Sequence, residues 1–239
     1  MDHDDSRPVF RQQKDLRTIM ITLWGRRNSM NVQKVVWALE ELDLAYERHN
    51  AAGSYGGTDT ASFKTMNPMG LVPVLRDGDI SMFESNAIVR YLAARYGEGN
   101  LRPREPSALA RAEQWMDWAQ LNVGPPMGAL FFQSVRTAPE SRNKEVSQQA
   151  TEQLHKLLPI ADAALAGSPF LAGERLSFGD VPLGVIVWRL SCFEWQRPAL
   201  PHIERWHAAL KARPAYQKGV MIPTGATPEE WLAIEKEHA

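Results

Sequence analysis

The chain of 239 residues contains a single cysteine, Cys192. One thiol excludes an intrachain disulfide, a cysteine-based zinc cluster and a Cys-x-x-Cys redox centre. No run of about 18 apolar residues is present, so no membrane-spanning helix is predicted. Acidic and basic residues nearly balance, with a formal net charge of −1, and Lys and Arg form no blocks. This balance argues against nucleic acid as the main partner.

The six histidines lack the spacing of metal ligands, and the sequence therefore predicts no metal site. Residues 1–18 are polar and lack the apolar centre of a secretion signal, so we expect a flexible leader on a cytoplasmic protein. Hydrophobic residues make up 44% of the chain and charged residues 23%. That composition is typical of a soluble globular protein with ample material for a buried core.

The patterns that are present divide the chain into two parts. Residues 19–97 predict a β-α-β-α-β-β-α unit whose first two strands are parallel. Residues 98–106, with their Gly and Pro, predict a linker. Residues 107–222 have helical patterns throughout, and 223–239 form a tail with one short helix over 228–236. The predicted fold class is therefore α/β followed by all-α.

Two local signals set expectations for the helical part. Pro125-Pro126 is expected to break or kink its first helix. In residues 176–181, the Ser177 hydroxyl is expected to cap the amide of Asp180, whose carboxylate reaches back to the Ser177 amide. The helix that follows is apolar nearly all round, so we expect it in the core.

A group of chemically suggestive residues lies late in the first part. Pro73 opens a short strand, either as a trans edge proline or after a cis bond that turns the Val72 amide and carbonyl outward. Ser85 can serve as the N-cap of the next helix. The same helix end suits a carboxylate ligand, and Glu84 can pair with an ammonium group. Together these groups match an α-amino acid terminus.

Another polar segment, Asn28-Ser29-Met30-Asn31, follows the first strand. In a βαβ unit this loop lies at the carboxyl end of the strands, where ligands usually bind. A hydroxyl and a helix N-terminus are together expected to lower the pKa of a bound thiol by about one to two units. Ser and Asn also occupy such loops for local hydrogen bonding alone. The segment by itself leaves both interpretations open.

In their order and spacing, these segments resemble a glutathione S-transferase, over about residues 19–222. The segments are Ser29-Met30-Asn31-Val32, Asn67-Pro68 with Val72-Pro73, Glu84-Ser85-Asn86-Ala87-Ile88, and Phe170-Leu171-Ala172-Gly173 with Ser177-Phe178-Gly179-Asp180. The resemblance implies a thioredoxin-like N-terminal domain, an all-helical C-terminal domain and a homodimer. It also implies glutathione as co-substrate.

The resemblance implies roles for Val72-Pro73 and for Glu84-Ser85. It implies a cis Pro73, with the backbone of Val72 pairing with the cysteine of glutathione. It places the γ-glutamyl end of glutathione at Glu84 and Ser85. The glycyl end normally meets the loop after the second strand, but residues 53–55 match no pattern that transfers securely.

The loop at Ser29 is similar to that of the serine-type enzymes, notably the phi and theta-like groups, in which a serine hydrogen-bonds the glutathione thiolate. In nu-like relatives an asparagine at the Asn31 position contributes to the same stabilisation of the thiolate. We therefore name Ser29 first and Asn31 second. The loop holds neither cysteine nor tyrosine. This disfavours the classes that use a protein cysteine or a tyrosine.

A hydrophobic electrophile is expected to bind in a cleft beside the first helix of the second domain. The candidates for this pocket are Met30, Trp115, Trp118 and Asn122, with Arg111 and Arg189 as polar contributors. Packing between the domains is the competing interpretation of the aromatic residues. The expected function is glutathione transfer to an electrophilic small molecule, as in detoxification. Two alternatives remain: a glutathione-dependent peroxidase or disulfide reductase, and a non-catalytic glutathione- or ligand-binding protein on the same fold.

Overall fold

Four short strands form one sheet in the first domain. A computed structural model describes residues 21–239, so the predicted leader and the first two residues of the predicted first strand lie outside the described residues. The strands are β1 (Ile21–Trp24), β2 (Tyr46–His49), β3 (Val74–Asp77) and β4 (Ile80–Phe83), in the spatial order β2-β1-β3-β4. The helices of this domain are α1 (Met30–Glu41), α2 (Ala61–Met66) and α3 (Ser85–Tyr96).

The register of the sheet determines which loops meet. β1 pairs in parallel with β2, as the sequence predicts. β3 runs antiparallel to β1, so Trp24 at the carboxyl end of β1 lies opposite Val74 at the start of β3. Because of this register, the loop after β1 and the Val72-Pro73 segment come to the same edge of the sheet.

The second domain is helical, as predicted. Its helices are α4 (Pro106–Trp118), α5 (Gly124–Phe131), α6 (Lys144–Leu165), α7 (Asp180–Ser191), α8 (Pro201–Lys211), α9 (Pro214–Val220) and α10 (Pro228–Glu237). α10 confirms the short helix predicted at residues 228–236. α9 begins at Pro214. At the first position of a helix a proline needs no amide donor and can start the helix.

The first helix of this domain, expected to break or kink at Pro125-Pro126, changes type just before the prolines and then continues through them. A π-helical turn, Ala119–Val123, follows α4, and α5 then begins at Gly124 with the prolines in its first turn. Proline is tolerated there, since the amides of a first turn are not needed for intrahelical bonds.

The capping prediction before α7 holds in part. Asp180 Oδ2 accepts the Ser177 amide at 3.0 Å, which confirms the predicted back-reach. The Ser177 hydroxyl accepts the amide of Gly179 at 3.2 Å instead of that of Asp180. Asp180 Oδ1 also accepts the Leu171 amide at 2.9 Å and the Trp206 indole at 3.1 Å. A fully buried carboxylate thus joins three segments of the second domain.

The two domains meet with backbones in contact. An added Cβ at Gly219 in α9 would lie 2.7 Å from the Cα of Trp37 in α1, so only glycine allows this approach. The ring of Trp37 packs edge-on against Tyr216 with centroids 4.8 Å apart. Gln33 of α1 donates to the carbonyl of Val220 at 3.1 Å. The helix that follows the Ser29 loop is therefore held firmly by the second domain.

Candidate active site

Ser29 stands at the N-terminus of α1 with a free hydroxyl. It occupies the N-cap position in extended conformation, with φ −71° and ψ 124°, yet its side chain caps no amide. Within residues 21–239, no group hydrogen-bonds this hydroxyl, and the residue is half-buried. The first turn of α1 contains no acidic side chain. A donor hydroxyl beside an unneutralised helix N-terminus is an environment that stabilises a thiolate.

Asn31 and Ser85 connect the first loop to the start of α3. The Ser85 hydroxyl donates to Asn31 Oδ1 at 3.2 Å. Ser85 is the first residue of α3 and not its N-cap, because Glu84 holds that position. Glu84 has φ 69°, in the left-handed region that non-glycine residues rarely adopt. Such strain is retained where the surrounding structure imposes it, commonly at functional sites.

The Val72–Pro73 bond is cis, as the resemblance implies. In the part of the chain that the structure describes, neither the amide nor the carbonyl of Val72 has a hydrogen-bond partner. Gly25 has φ +152°, and an added Cβ there would lie 3.2 Å from Val72 Cβ and collide with the side chain of Val32. The close approach at Gly25 therefore brings the loop after β1 against the exposed backbone at Val72.

A cavity of about 420 Å³ opens beside Ser29 and Asn31. Its lining consists of Arg26, Asn28, Ser29, Met30, Asn31, Lys34, Gln120, Gly124, Pro125, Met127, Gly128, Phe131, Arg136, Ile186, Arg189 and Trp231. Both domains contribute to it. A reactive group held at Ser29 would thus face a pocket large enough for a small molecule.

These elements match known proteins along most of the chain. The family described as glutathione S-transferase, N-terminal domain, matches residues 20–94, and the C-terminal domain of the same family matches residues 123–214. The chain belongs to the glutathione S-transferase family. Glutathione S-transferase GstB of Escherichia coli K12 is 41% identical over 206 residues, which cover 85% of this chain and 99% of the relative.

Solved structures give the same assignment. The theta-class glutathione S-transferase of Xanthomonas axonopodis pv. citri, determined with glutathione bound, superposes with a TM-score of 0.81 at 45% identity. The match covers 84% of this chain and 97% of that protein. Glutathione S-transferase 4 of Zea mays is 32% identical and covers 88% of this chain. The fold and the transferase activity implied by the sequence resemblance are confirmed by these matches.

Not all predicted pocket residues of this transferase lie at the cavity. Met30 lines it, whereas Trp115 is in the core, packed edge-on against Trp118 with centroids 5.1 Å apart. Asn122 donates to the carbonyl of Trp118 within its own helix. Gln120, in the π-helical turn, lines the cavity, whereas Trp115, Trp118 and Asn122 do not. Of the two arginine candidates, Arg111 bonds the carbonyl of Ala172 elsewhere, and Arg189 lines the cavity.

The cavity of the transferase is strongly basic. Among the described residues no carboxylate lines it, while four cationic side chains do: Arg26, Lys34, Arg136 and Arg189. The sequence did not lead us to predict three of these: Arg26, Lys34 and Arg136. Of these three, only Lys34 could have been found from the sequence, because it follows Asn31 by three positions and thus lies on the same helix face.

Arg189 is the most buried of these cations, at 1% exposure. It donates to the carbonyl of Asn28 at 2.8 Å and to Gln33 Oε1 at 3.0 Å. Its guanidinium lies 4.9 Å from the ring centroid of Phe131 and 5.0 Å from that of Trp231. Burial lowers the pKa of Arg189 to about 10, so the side chain stays charged at neutral pH. It therefore fixes the loop that contains Asn28 and Ser29 and supplies positive charge to the cavity.

Helix α10 closes one side of the cavity. Glu235 is buried and accepts the Ser54 amide at 2.8 Å and the Ser54 hydroxyl at 2.7 Å. The Tyr55 hydroxyl donates to the carbonyl of Glu235 at 2.9 Å, and Arg26 Nε lies 3.3 Å from its carboxylate. These contacts anchor α10 to the loop after β2 and hold Trp231 at the cavity.

Three further features of the described residues concern metal ligands, membrane helices and the one cysteine. Residues 21–239 contain no cluster of three His, Cys, Asp or Glu side chains suited to a metal ion. No helix in the same range has the length and apolar character needed to cross a membrane. Cys192 is half-buried at the end of α7, and burial raises the pKa of its thiol, so it is unreactive by this criterion.

Proposed function

We propose that the Ser29 hydroxyl, assisted by Asn31 and the first amides of α1, stabilises glutathione as its thiolate for attack on an electrophilic carbon. The sulfur forms the new S–C bond while the leaving group departs with its electron pair. The free hydroxyl of Ser29, at an uncapped helix N-terminus inside a cavity, is the observation that carries this proposal. The protein contributes a lowered thiol pKa and orientation of the two reactants.

Glutathione is proposed to lie from Val72 to Ser85. The backbone of Val72 pairs with its cysteinyl residue, Glu84 with its ammonium group, and Ser85 with its γ-glutamyl carboxylate. Supporting this pose, Val72 has no backbone partner within 21–239, and Ser85, which follows Glu84 in the sequence, hydrogen-bonds Asn31. The relative from Xanthomonas binds glutathione on the same fold. The proposed reaction uses no metal. That the protein is cytoplasmic stays a prediction from the sequence.

The electrophile is proposed to have an apolar body and a negatively charged or electron-rich end. Met30, Met127 and Phe131 supply apolar surface to the cavity. Arg136 lies 5.4 Å from the ring of Trp231 and is exposed, so a ligand can reach its guanidinium. This refines the hydrophobic electrophile expected from the resemblance, because a basic pocket favours anionic ligands.

The test compares 4-chloro-3-nitrobenzoate with 4-chloro-3-nitrobenzamide, after calorimetry has established binding of millimolar glutathione. With each kcat/KM divided by the uncatalysed rate, we expect the acid to be preferred about tenfold, as one charge-assisted hydrogen bond allows. Arg136→Gln should reduce that preference, while Arg104→Gln, an exposed arginine outside the cavity, should not. Absence of glutathione binding contradicts the proposed function. Equal turnover of both compounds contradicts only the charge preference.

A homodimer is proposed through the edge of the sheet at β4. Large apolar side chains between residues 69 and 83 are exposed: Met69 (68%), Leu71 (59%), Ile80 (44%) and Phe83 (37%). Contiguous exposed apolar surface commonly marks an interaction site. We expect sedimentation equilibrium to show a dimer, and Met69→Glu with Leu71→Glu to shift it to monomer. Ile160→Glu, equally a charge on an exposed apolar position, should leave the dimer intact. A wild-type monomer would contradict this assembly.

A further inference from the structure

Lys34 is buried in the wall of the active site. It lies one turn into α1, lines the cavity with Ser29 and Asn31, and is 1% exposed. Among residues 21–239, no carboxylate is in salt-bridge contact with its ammonium group, and Glu84 acts on it only at longer range. Burying an ammonium without a carboxylate partner is costly, and such groups are rarely retained without compensation. The compensation at Lys34 comes from neutral oxygen acceptors.

Four side-chain oxygens surround this ammonium. Gln120 Oε1 lies 2.6 Å from Nζ, Asn31 Oδ1 3.1 Å, Asn86 Oδ1 3.3 Å and Ser85 Oγ 3.5 Å. An ammonium has three donors, so these acceptors saturate it. They come from α1, from α3 and from the π-helical turn after α4. Lys34 is therefore the point at which both domains and both halves of the glutathione site are tied together.

The contacts at Asn31 determine which way its amide faces. Oδ1 accepts from Lys34 at 3.1 Å and from the Ser85 hydroxyl at 3.2 Å. Because the ammonium of Lys34 can only donate, the reverse orientation would place the donor Nδ2 against it, which excludes that orientation. Nδ2 is thus left as a donor, without a partner in the described part of the chain, on an exposed side chain at the cavity. A thiolate beside Ser29 would accept from it.

We propose that Lys34 is a positioning residue for the transfer reaction, whose ammonium holds Asn31 Oδ1 so that Nδ2 is directed at the glutathione sulfur. This rests on the proposed role of Asn31 as a thiolate donor. The contact is charge-assisted and therefore stronger than one between neutral groups. Burial lowers the pKa of Lys34 to about 8, opposed by Glu84, which leaves the side chain mostly protonated at neutral pH.

The test is titration of enzyme-bound glutathione, followed by the ultraviolet absorbance of its thiolate. We expect Lys34→Met to raise the pKa of the bound thiol by about one unit, equivalent to a tenfold loss of thiolate at neutral pH. Lys218→Met is the matched control, because Lys218 is 67% exposed on α9 and pairs with Glu40 away from the cavity. A purely structural role for Lys34 would change the unfolding midpoint without moving this titration.

The double variant with Asn31→Ala tests whether Lys34 acts through Asn31. If it does, Lys34→Met adds little to the shift that Asn31→Ala produces alone. Full additivity, or an unchanged titration in Lys34→Met, overturns the proposal. If Lys34→Met does not fold, Lys34→Leu, which likewise lacks a donor, is measured in its place with the same two outcomes. A wild-type enzyme that does not lower the pKa of bound glutathione would instead contradict the proposed function.

Discussion

Ser29→Ala is expected to raise the pKa of the glutathione thiol in the complex by about one to two units and to lower kcat at neutral pH by about ten- to a hundredfold. The hydroxyl of Ser29 has no partner in residues 21–239, so its removal costs the protein no internal hydrogen bond. The lost interaction is the one with the thiolate. Because the thiol then ionises at higher pH, activity should recover as the pH is raised.

Thiolate absorbance of the bound glutathione, measured across the titration, checks this result alongside the pH profile of kcat. Ser147→Ala on α6 is the matched control, since Ser147 is half-buried like Ser29 and its hydroxyl bonds, within residues 21–239, only the carbonyl of Asn143. Asn31→Ala ranks the two candidates. A larger shift in Asn31→Ala, with none in Ser29→Ala, would transfer the main role to Asn31 and contradict the assignment to Ser29.

Asp180→Ala is expected to lower the free energy of unfolding by about 3–5 kcal/mol, among the largest effects of a single substitution. Its carboxylate accepts from the amides of Leu171 and Ser177 and from the indole of Trp206, all buried. Each buried donor left without an acceptor costs about 1–3 kcal/mol. The loss should be global, because the carboxylate joins the start of α7 to α8 and to the preceding loop.

Urea denaturation with linear extrapolation measures the effect, and the midpoint should fall with little change in slope. Asp59→Ala, at an exposed loop position without side-chain hydrogen bonds, should stay within about 0.5 kcal/mol of the parent. Asp180→Asn should be intermediate, since one amide oxygen can still serve one pair of donors. A loss below about 1 kcal/mol in Asp180→Ala would show that water or rearrangement replaces the carboxylate.

The glutathione half of the site was largely accessible from sequence, because its residues lie in short continuous segments. Ser29, Val72-Pro73 and Glu84-Ser85 each have a local signature in a loop or at a helix terminus. The hydrogen bond from the Ser177 amide to the Asp180 carboxylate could be predicted for the same reason, because the two residues are only three positions apart.

The part of the cavity proposed to bind the electrophile could not be predicted from the sequence, because its residues meet only in the folded chain. Arg136 and Trp231 are far apart in sequence and come together where α10 returns to the cavity. Gln120, within the π-helical turn at Ala119–Val123, lines the cavity, whereas the predicted Trp118 and Asn122 do not. Regular helical spacing cannot anticipate an extra residue in one turn.

The contacts of Gln120 and Arg189 with the first domain have a consequence for recombination among related genes. Gln120 Oε1 is the nearest hydrogen-bond acceptor of the Lys34 ammonium. Arg189 donates to the carbonyl of Asn28, the residue before Ser29. A chimera joined at the linker would keep every residue proposed to touch glutathione and still lose both supports, unless its new C-terminal half carried glutamine and arginine at these positions. The unit that must be inherited together therefore crosses the domain boundary.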